Sequence, residues 1–113
     1  KIGAGLRVKE PWCLKMLFKI HKSYRDVIAI CDSDLIGKKF EQGKFQLDVK
    51  ETFFRGEEVS ERELIDLIED YAKEDATFNI IGEKSVKSAI KAGIINKKGV
   101  KKINNIPFAL VLV

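Results

Sequence analysis

One histidine and two cysteines are the side chains of this sequence best suited to nucleophilic or metal chemistry, and their spacing restricts both. Because His21 is the only histidine, a histidine-rich metal site is excluded. A zinc site built from Cys13, Cys31 and His21 lacks the local ligand spacing that such sites need. A nucleophilic pair of Cys31 and His21 beside Asp32 is conceivable, but Cys31 ends an apolar strand, where cysteine usually packs as a small buried hydrophobe. We therefore predict no catalytic residue, no bound metal and no cofactor.

The segment Asn79–Ser85 is the one with a rationale for binding a ligand. Gly82 lets a ligand approach the backbone closely and opens a predicted helix, and the free amides of a helix N-terminus bind anions. A structural explanation covers the same pattern and is the one we favour: Gly82 permits close packing, and Glu83 complements the helix dipole. The candidate anion-binding residues are Asn79, Gly82, Lys84 and Ser85.

Charge is distributed unevenly along the chain, although the net charge is only +4. Residues 51–75 contain ten acids and three basic residues, whereas residues 76–113 contain seven lysines and one acid. Either these blocks pair with each other across the fold, or the basic block contacts a polyanion such as RNA. The candidate polyanion contacts are Lys84, Lys87, Lys91, Lys97, Lys98, Lys101 and Lys102.

Aromatic residues are sparse around these lysines, which limits the expected mode of contact. Only Phe78 and Phe108 flank the basic block, and both are predicted to be buried. Without an aromatic platform for base stacking, we expect phosphate contact without base readout.

The acids of residues 61–75 occur at helical intervals and suggest a different surface. Two of these carboxyl groups could in principle form a catalytic acid/base pair, but their spacing is that of the solvent-facing side of an amphipathic helix. We therefore predict a solvated acidic face, formed by Glu63, Asp66, Glu69 and Asp70.

The strands that must position these residues begin with a hairpin. Residues 17–22 and 26–31 are strand-like on either side of a turn at residues 23–25, and they predict an antiparallel pair. The segment Asp-Ser-Asp at residues 32–34 then supplies an N-cap for a short turn that is closed by Gly37. A third strand with one wet face is expected over residues 45–50.

Two helices follow, and the first has the clearest local signal in the chain. Ser60 and Glu63 form a capping-box pattern that predicts a helix over residues 61–73. A second helix is expected over residues 83–92, and residues 100–113 predict two further strands around a turn. The order β-β-β-α-α-β-β indicates an α+β fold, with a small, mixed and largely antiparallel sheet packed against two helices.

Residues 1–15 lack the periodicity of the remainder. We expect them to be an N-terminal extension, poorly ordered or arising from a misplaced start site, ahead of a single domain over residues 16–113. No apolar run approaches the roughly 20 residues that span a bilayer, and no signal peptide is evident. These features favour a cytoplasmic protein without a membrane partner, and the scarcity of glutamine beside abundant Lys and Glu favours a thermophilic source.

From Met16 onward the chain resembles an archaeal family named domain of unknown function 424. The resemblance rests on Asp-Leu-Ile-Gly-Lys-Lys-Phe at residues 34–40 followed by Gly43 and Leu-Asp-Val at residues 47–49, on residues 79–86, and on Ile106-Pro107. It implies an archaeal, cytoplasmic, single-domain protein and brings no established activity, substrate or cofactor. Family members commonly have a polar stretch resembling His-Ala-Gln after Ile-Pro, where this chain has Phe108-Ala109-Leu110. Any site served by that polar stretch is weakened or absent here.

These patterns lead to one principal hypothesis and two alternatives. We expect a non-catalytic binding protein that contacts RNA or a translation-associated assembly through the lysines of residues 84–102. The first alternative is a protein–protein interaction module that uses the acidic helix 61–73. The second is a small-anion-binding enzyme subunit centred on the helix start at residues 79–85.

Overall fold

The structure is a computed structural model that describes residues 16–112. The predicted N-terminal extension over residues 1–15 and the final residue of the predicted last strand, Val113, lie outside the described residues. Each helix within residues 16–112 is too short or too polar to cross a lipid bilayer.

Most of the described chain is organised around one mixed sheet. Its six strands are β1 Met16–His21, β2 Val27–Asp32, β5 Glu57–Val59, β6 Thr77–Ile81, β7 Lys101–Ile103 and β8 Ile106–Leu112. The order across the sheet is β5-β1-β2-β6-β8-β7, and β2 and β6 are parallel while the other neighbours are antiparallel. A second, two-stranded sheet is the hairpin of β3 Lys39–Gln42 and β4 Phe45–Asp48. The predicted α+β class and the β1–β2 hairpin are confirmed.

Three helices lie between these strands: α1 Glu51–Phe54, α2 Glu61–Ala72 and α3 Glu83–Ala92. The predicted capping box of α2 is confirmed, because Glu63 N donates to Ser60 Oγ at 3.3 Å and Ser60 N donates to Glu63 Oε1 at 3.0 Å. At the end of α3, Gly93 has φ +86°, a left-handed conformation that glycine adopts without steric cost.

The central strands of the sheet are covered on both faces. Along β2, Ile28 and Ile30 point towards α2 and α3, while Ala29 and Cys31 point to the opposite face, beneath residues 33–56. All four side chains are fully buried, as expected for a central strand covered on both sides. The sheet therefore separates two apolar clusters, one against the helices and one against the segment that contains α1 and the β3–β4 hairpin.

The strand β6 is absent from the predicted element order, as are β3, β5 and the short α1. Within β6, Phe78 and Ile80 pack on the helix side and Ile81 on the other, so its sequence lacks a clean apolar–polar alternation. Such a segment is not distinguished by its pattern from the residues that lead into the next helix. Because β6 is parallel to β2, the carboxyl ends of both strands lie side by side at the same end of the sheet.

Candidate functional site

The carboxyl ends of β2 and β6 bring a buried acid to the start of a helix. In the parallel register Cys31 lies opposite Ile81, so Asp32 is adjacent to Gly82, the residue that precedes α3. In open sheets with parallel strands, ligands commonly bind just outside the carboxyl ends of the strands.

Asp32 occupies the N-terminus of α3 with its own carboxylate. Oδ2 accepts a hydrogen bond from Lys84 N at 3.1 Å, and Oδ1 accepts from Ser85 N and from Ser85 Oγ, both at 2.8 Å. The first amides of a helix have no partner within the helix and carry partial positive charge. The protein therefore satisfies two of these donors internally, with a carboxyl group supplied by its own chain.

Gly82 makes this arrangement sterically possible. Its φ is +112°, and a Cβ atom at this position would lie only 2.6 and 2.7 Å from the two carboxylate oxygens of Asp32. The predicted close approach at Gly82 is thus made by the Asp32 carboxylate rather than by an external ligand.

Burial raises the pKa of the Asp32 carboxyl above its usual value, and the nearby Asp34 carboxylate adds to the shift. The hydrogen bonds from Ser85 and Lys84 act in the opposite direction, because they favour the charged form. Asp32 is 8% exposed, so the cost of removing its charge from water outweighs these hydrogen bonds.

Next to Asp32 is a cleft of about 340 Å³, which we call the carboxyl-end cleft. It is lined by Asp32, Asp34, Leu35, Glu83, Lys84 and Ile106. Three carboxyl groups and one ammonium group give it an acidic character that disfavours a second anion. Among the described residues, no three His, Cys, Asp or Glu side chains are arranged to hold a metal ion.

The four residues predicted to bind an anion are only partly brought together. Gly82, Lys84 and Ser85 meet at the start of α3, whereas Asn79 lies in the middle of β6, between Ala29 and Leu110 of the neighbouring strands. Anion binding here stays a prediction, and it now requires that the anion displace the Asp32 carboxylate.

The role of Asp32 differs from the one its sequence context indicates. A 3-10 turn does form over Ser33–Leu35 after Asp32, but the Asp32 side chain makes no capping bond to it. The prediction that residues 32–34 supply the N-cap of this turn is confirmed for the position, which Asp32 occupies, and was wrong for the side chain. The Asp32 side chain instead caps α3, more than fifty residues later.

Cys31 and His21 do not form a nucleophilic pair. Across the β1–β2 ladder Cys31 lies opposite Leu17 and His21 lies opposite Val27, so the two residues are at opposite ends of the hairpin. Cys31 is fully buried, and this burial, with Asp32 and Asp34 nearby, raises its pKa to about 12. A thiol with such a pKa is almost entirely protonated at neutral pH and is a poor nucleophile.

His21 has a structural environment that the sequence did not predict. Its ring stacks on Phe53 of α1 with a centroid separation of 4.4 Å, and Nε2 lies 2.8 Å from the carbonyl oxygen of Phe53. His21 is therefore half-buried beneath α1.

The seven candidate lysines are distributed over three elements. Lys84, Lys87 and Lys91 are on α3, Lys97 and Lys98 are in a 3-10 turn, and Lys101 and Lys102 are on the edge strand β7. One ion pair joins the basic block to the acidic block, between Lys91 Nζ and Glu61 Oε2 at 3.1 Å. The other six lysines form no ion pair with any described residue.

The acidic face of α2 is solvated, as predicted. Glu63, Asp66, Glu69 and Asp70 are all exposed. Glu63 also completes the capping box at the start of the helix.

A second cleft, which we call the edge cleft, lies between the tip of the β3–β4 hairpin and the edge strand. It has a volume of about 190 Å³ and is lined by Gln42, Phe45, Lys101, Lys102, Ile103 and Phe108. Phe45 is 71% exposed, and Phe108 is only half-buried, so the prediction that Phe108 is buried was wrong. The fold thus places two phenylalanines beside two lysines, although no aromatic residue interleaves with the lysines in the sequence.

These features define a small α+β protein with a six-stranded mixed sheet, an internally capped helix start and a basic sheet edge. Residues 21–113 match the family described as "Protein of unknown function (DUF424)", and the chain belongs to that family. The resemblance found in the sequence is thereby confirmed.

One solved structure has a similar fold, a crystal structure of an uncharacterized conserved protein from Methanopyrus kandleri. It matches with a TM-score of 0.78 and 22% sequence identity, over 87% of this chain and 92% of that chain. At this level of identity the likeness concerns the fold alone. No curated protein sequence matches this chain.

Proposed function

We propose that this protein binds RNA, free or within a ribonucleoprotein assembly, through the lysines of residues 84–102. The observation that supports this proposal is the pairing of the charges. Of the seven lysines, only Lys91 forms an ion pair with a described residue, and the acidic block leaves the other six uncompensated. Unpaired cations on a surface attract a polyanion, because contact with phosphates releases the condensed counterions.

The distribution of these lysines favours an extended polyanion over a small anion. A small anion requires donors that converge on one point, and the helix start that offers them is occupied by Asp32. The lysines instead lie on α3, on the 3-10 turn Lys97–Gly99 and on β7. A polymer with regularly spaced phosphates can contact charges on several elements at once.

Binding of a fluorescently labelled single-stranded RNA, measured by anisotropy at several salt concentrations, tests the proposal directly. Each neutralised phosphate contributes a slope of about −0.7 to a plot of log affinity against log salt for a single strand. We expect measurable affinity at 50 mM salt and a steep loss by 200 mM. Absent binding, or affinity independent of salt, would contradict the proposal.

A pair of double variants localises the contact. In Lys97→Ala/Lys98→Ala two exposed lysines of the basic block are removed, whereas Lys38→Ala/Lys73→Ala removes two exposed lysines outside it. Both variants change the net charge by the same amount. We expect only the first to make the salt dependence shallower, by about 1 to 2 units of slope. Equal effects of the two variants would show that net charge alone drives binding.

A further inference from the structure

We infer that the edge cleft accepts an unpaired nucleobase of single-stranded RNA, with Phe45 as the stacking surface. This inference rests on the proposed RNA binding and specifies which form of RNA is bound. It assigns a chemical function to an aromatic side chain that the core does not use.

Phe45 is exposed because of its place in the hairpin. Phe40 and Leu47 are paired across β3 and β4, and both are partly buried against the apolar cluster that contains Ala29 and Cys31. Phe45 is paired with Gln42 at the tip, one step further along the same face, and is 71% exposed there. Covering a large, water-exposed aromatic ring with another flat, apolar surface lowers the free energy of the system.

The two walls of the edge cleft are tied together before any ligand arrives. Asn104 N, in the turn between β7 and β8, donates a hydrogen bond to Gln42 Oε1 at 2.8 Å. Asn104 and Asn105 have φ +52° and +65°, as a tight two-residue turn between antiparallel strands requires. The hairpin tip and the sheet edge are therefore held in a defined relation, which lowers the entropic cost of binding.

The residues that line the edge cleft are suited to binding one nucleotide of a single strand. Phe45 and Phe108 offer ring surface to a base, and Lys101 and Lys102 offer charge to the adjoining phosphates. The volume of about 190 Å³ is below the range of roughly 300–1,000 Å³ typical of pockets that enclose whole small molecules. It suits a single planar ring whose sugar and phosphate stay outside, beside the lysines.

Phe45→Ala, with Tyr24→Ala as its matched control, tests this inference. Tyr24 is also an exposed aromatic residue, but it lies in the turn between β1 and β2. Removing one stacked base contact should weaken single-stranded RNA binding about tenfold and leave the salt slope unchanged, because the phosphate contacts remain. Tyr24→Ala should bind like the wild type. Lys101→Ala/Lys102→Ala should make the slope shallower.

A second measurement separates base stacking from charge. In a Phe45→Trp variant with Trp12→Phe, the new indole is the only tryptophan, and a stacked base should quench its fluorescence. Inorganic polyphosphate, which has charge but no bases, should bind without quenching. Equal binding of single-stranded and duplex RNA, or quenching by polyphosphate, would overturn the inference.

The failure of this inference differs from the failure of the proposed function. If RNA binds with a steep salt dependence but Phe45→Ala has the affinity of the wild type, the edge cleft is not a base site and RNA binding stands. If neither single-stranded nor duplex RNA binds, both are overturned.

Discussion

Asp32 and Ser85 are joined by two hydrogen bonds across 53 positions of sequence: Oδ1 of Asp32 accepts from the amide and from the hydroxyl of Ser85, both at 2.8 Å. Both residues are buried. Their contact attaches the end of β2 to the start of α3 and places a carboxylate where an external anion would otherwise bind. The helix start is therefore part of the structural framework of the protein.

The first prediction concerns the stability that this contact provides. Asp32→Ala leaves the amides of Lys84 and Ser85 and the Ser85 hydroxyl without their acceptor, and a buried unsatisfied group costs about 1–3 kcal/mol. We expect a loss of about 2–4 kcal/mol in the free energy of unfolding, measured by urea denaturation. Ser85→Ala removes only the hydroxyl and should cost about 1 kcal/mol. An Asp32→Ala variant as stable as the wild type would contradict this role.

The second prediction separates the two reasons for glycine at residue 82. Gly82→Ala introduces a Cβ atom that overlaps the Asp32 carboxylate at a φ of +112°, whereas Gly93→Ala meets no atom within 4 Å at a φ of +86°. Gly93→Ala should cost about 1 kcal/mol from backbone strain alone. Gly82→Ala should cost clearly more, because Asp32 must also move away from α3. Thermal unfolding of both variants tests this, and equal losses would mean that the close approach of Asp32 has no energetic importance.

The third prediction is the sign of a pH dependence. Burial raises the pKa of Asp32 above its usual value of 3.8, so the folded protein binds this proton more tightly than the unfolded chain does. The resulting stabilisation is present below pH 3.8 and is lost as the pH rises through the folded-state pKa. Relative to Asp32→Asn, the wild type should therefore gain stability as the pH falls from 7 towards 4. Urea denaturation of both proteins across this range measures the difference in their free energies of unfolding. If the wild type became less stable relative to Asp32→Asn on acidification, the pKa of Asp32 would be lowered instead.

The fourth prediction concerns the thiol of Cys31. Its pKa of about 12 and its complete burial make the thiolate scarce and inaccessible. In a Cys13→Ser background, where Cys31 is the only thiol, the folded protein should not react with Ellman's reagent at pH 8. One equivalent should react after unfolding in guanidinium chloride. Rapid reaction of the folded protein would show that β2 is accessible to solvent.

Features encoded within a few residues were predictable from the sequence. The capping box joins Ser60 and Glu63, three positions apart, and the left-handed end of α3 needs only a glycine at residue 93. The strands β1 and β2 follow from their own apolar patterns. In each case the interacting groups are neighbours in the chain, so local propensity and local hydrogen bonding decide the outcome.

Features that depend on strand order were not predictable in this way. The strand β6 is apolar towards both faces, and periodicity does not separate such a segment from the entry to a helix. Because β6 is not predicted, its parallel pairing with β2 is not predicted either, and neither is the contact of Asp32 with the start of α3. The same limit applies to Phe45, which lies beside Lys101 only because the β3–β4 hairpin packs against the edge of the sheet.

The sequence by itself therefore determined the fold class, the family, the two main helices and the segregation of charge. Tertiary structure alone decided that the start of α3 is filled by Asp32 and that two phenylalanines stand beside the lysines of β7. The physical reason is the range of the interactions. Caps, turns and alternation act within a few residues, whereas both clefts are made by side chains that come together only when the sheet is assembled.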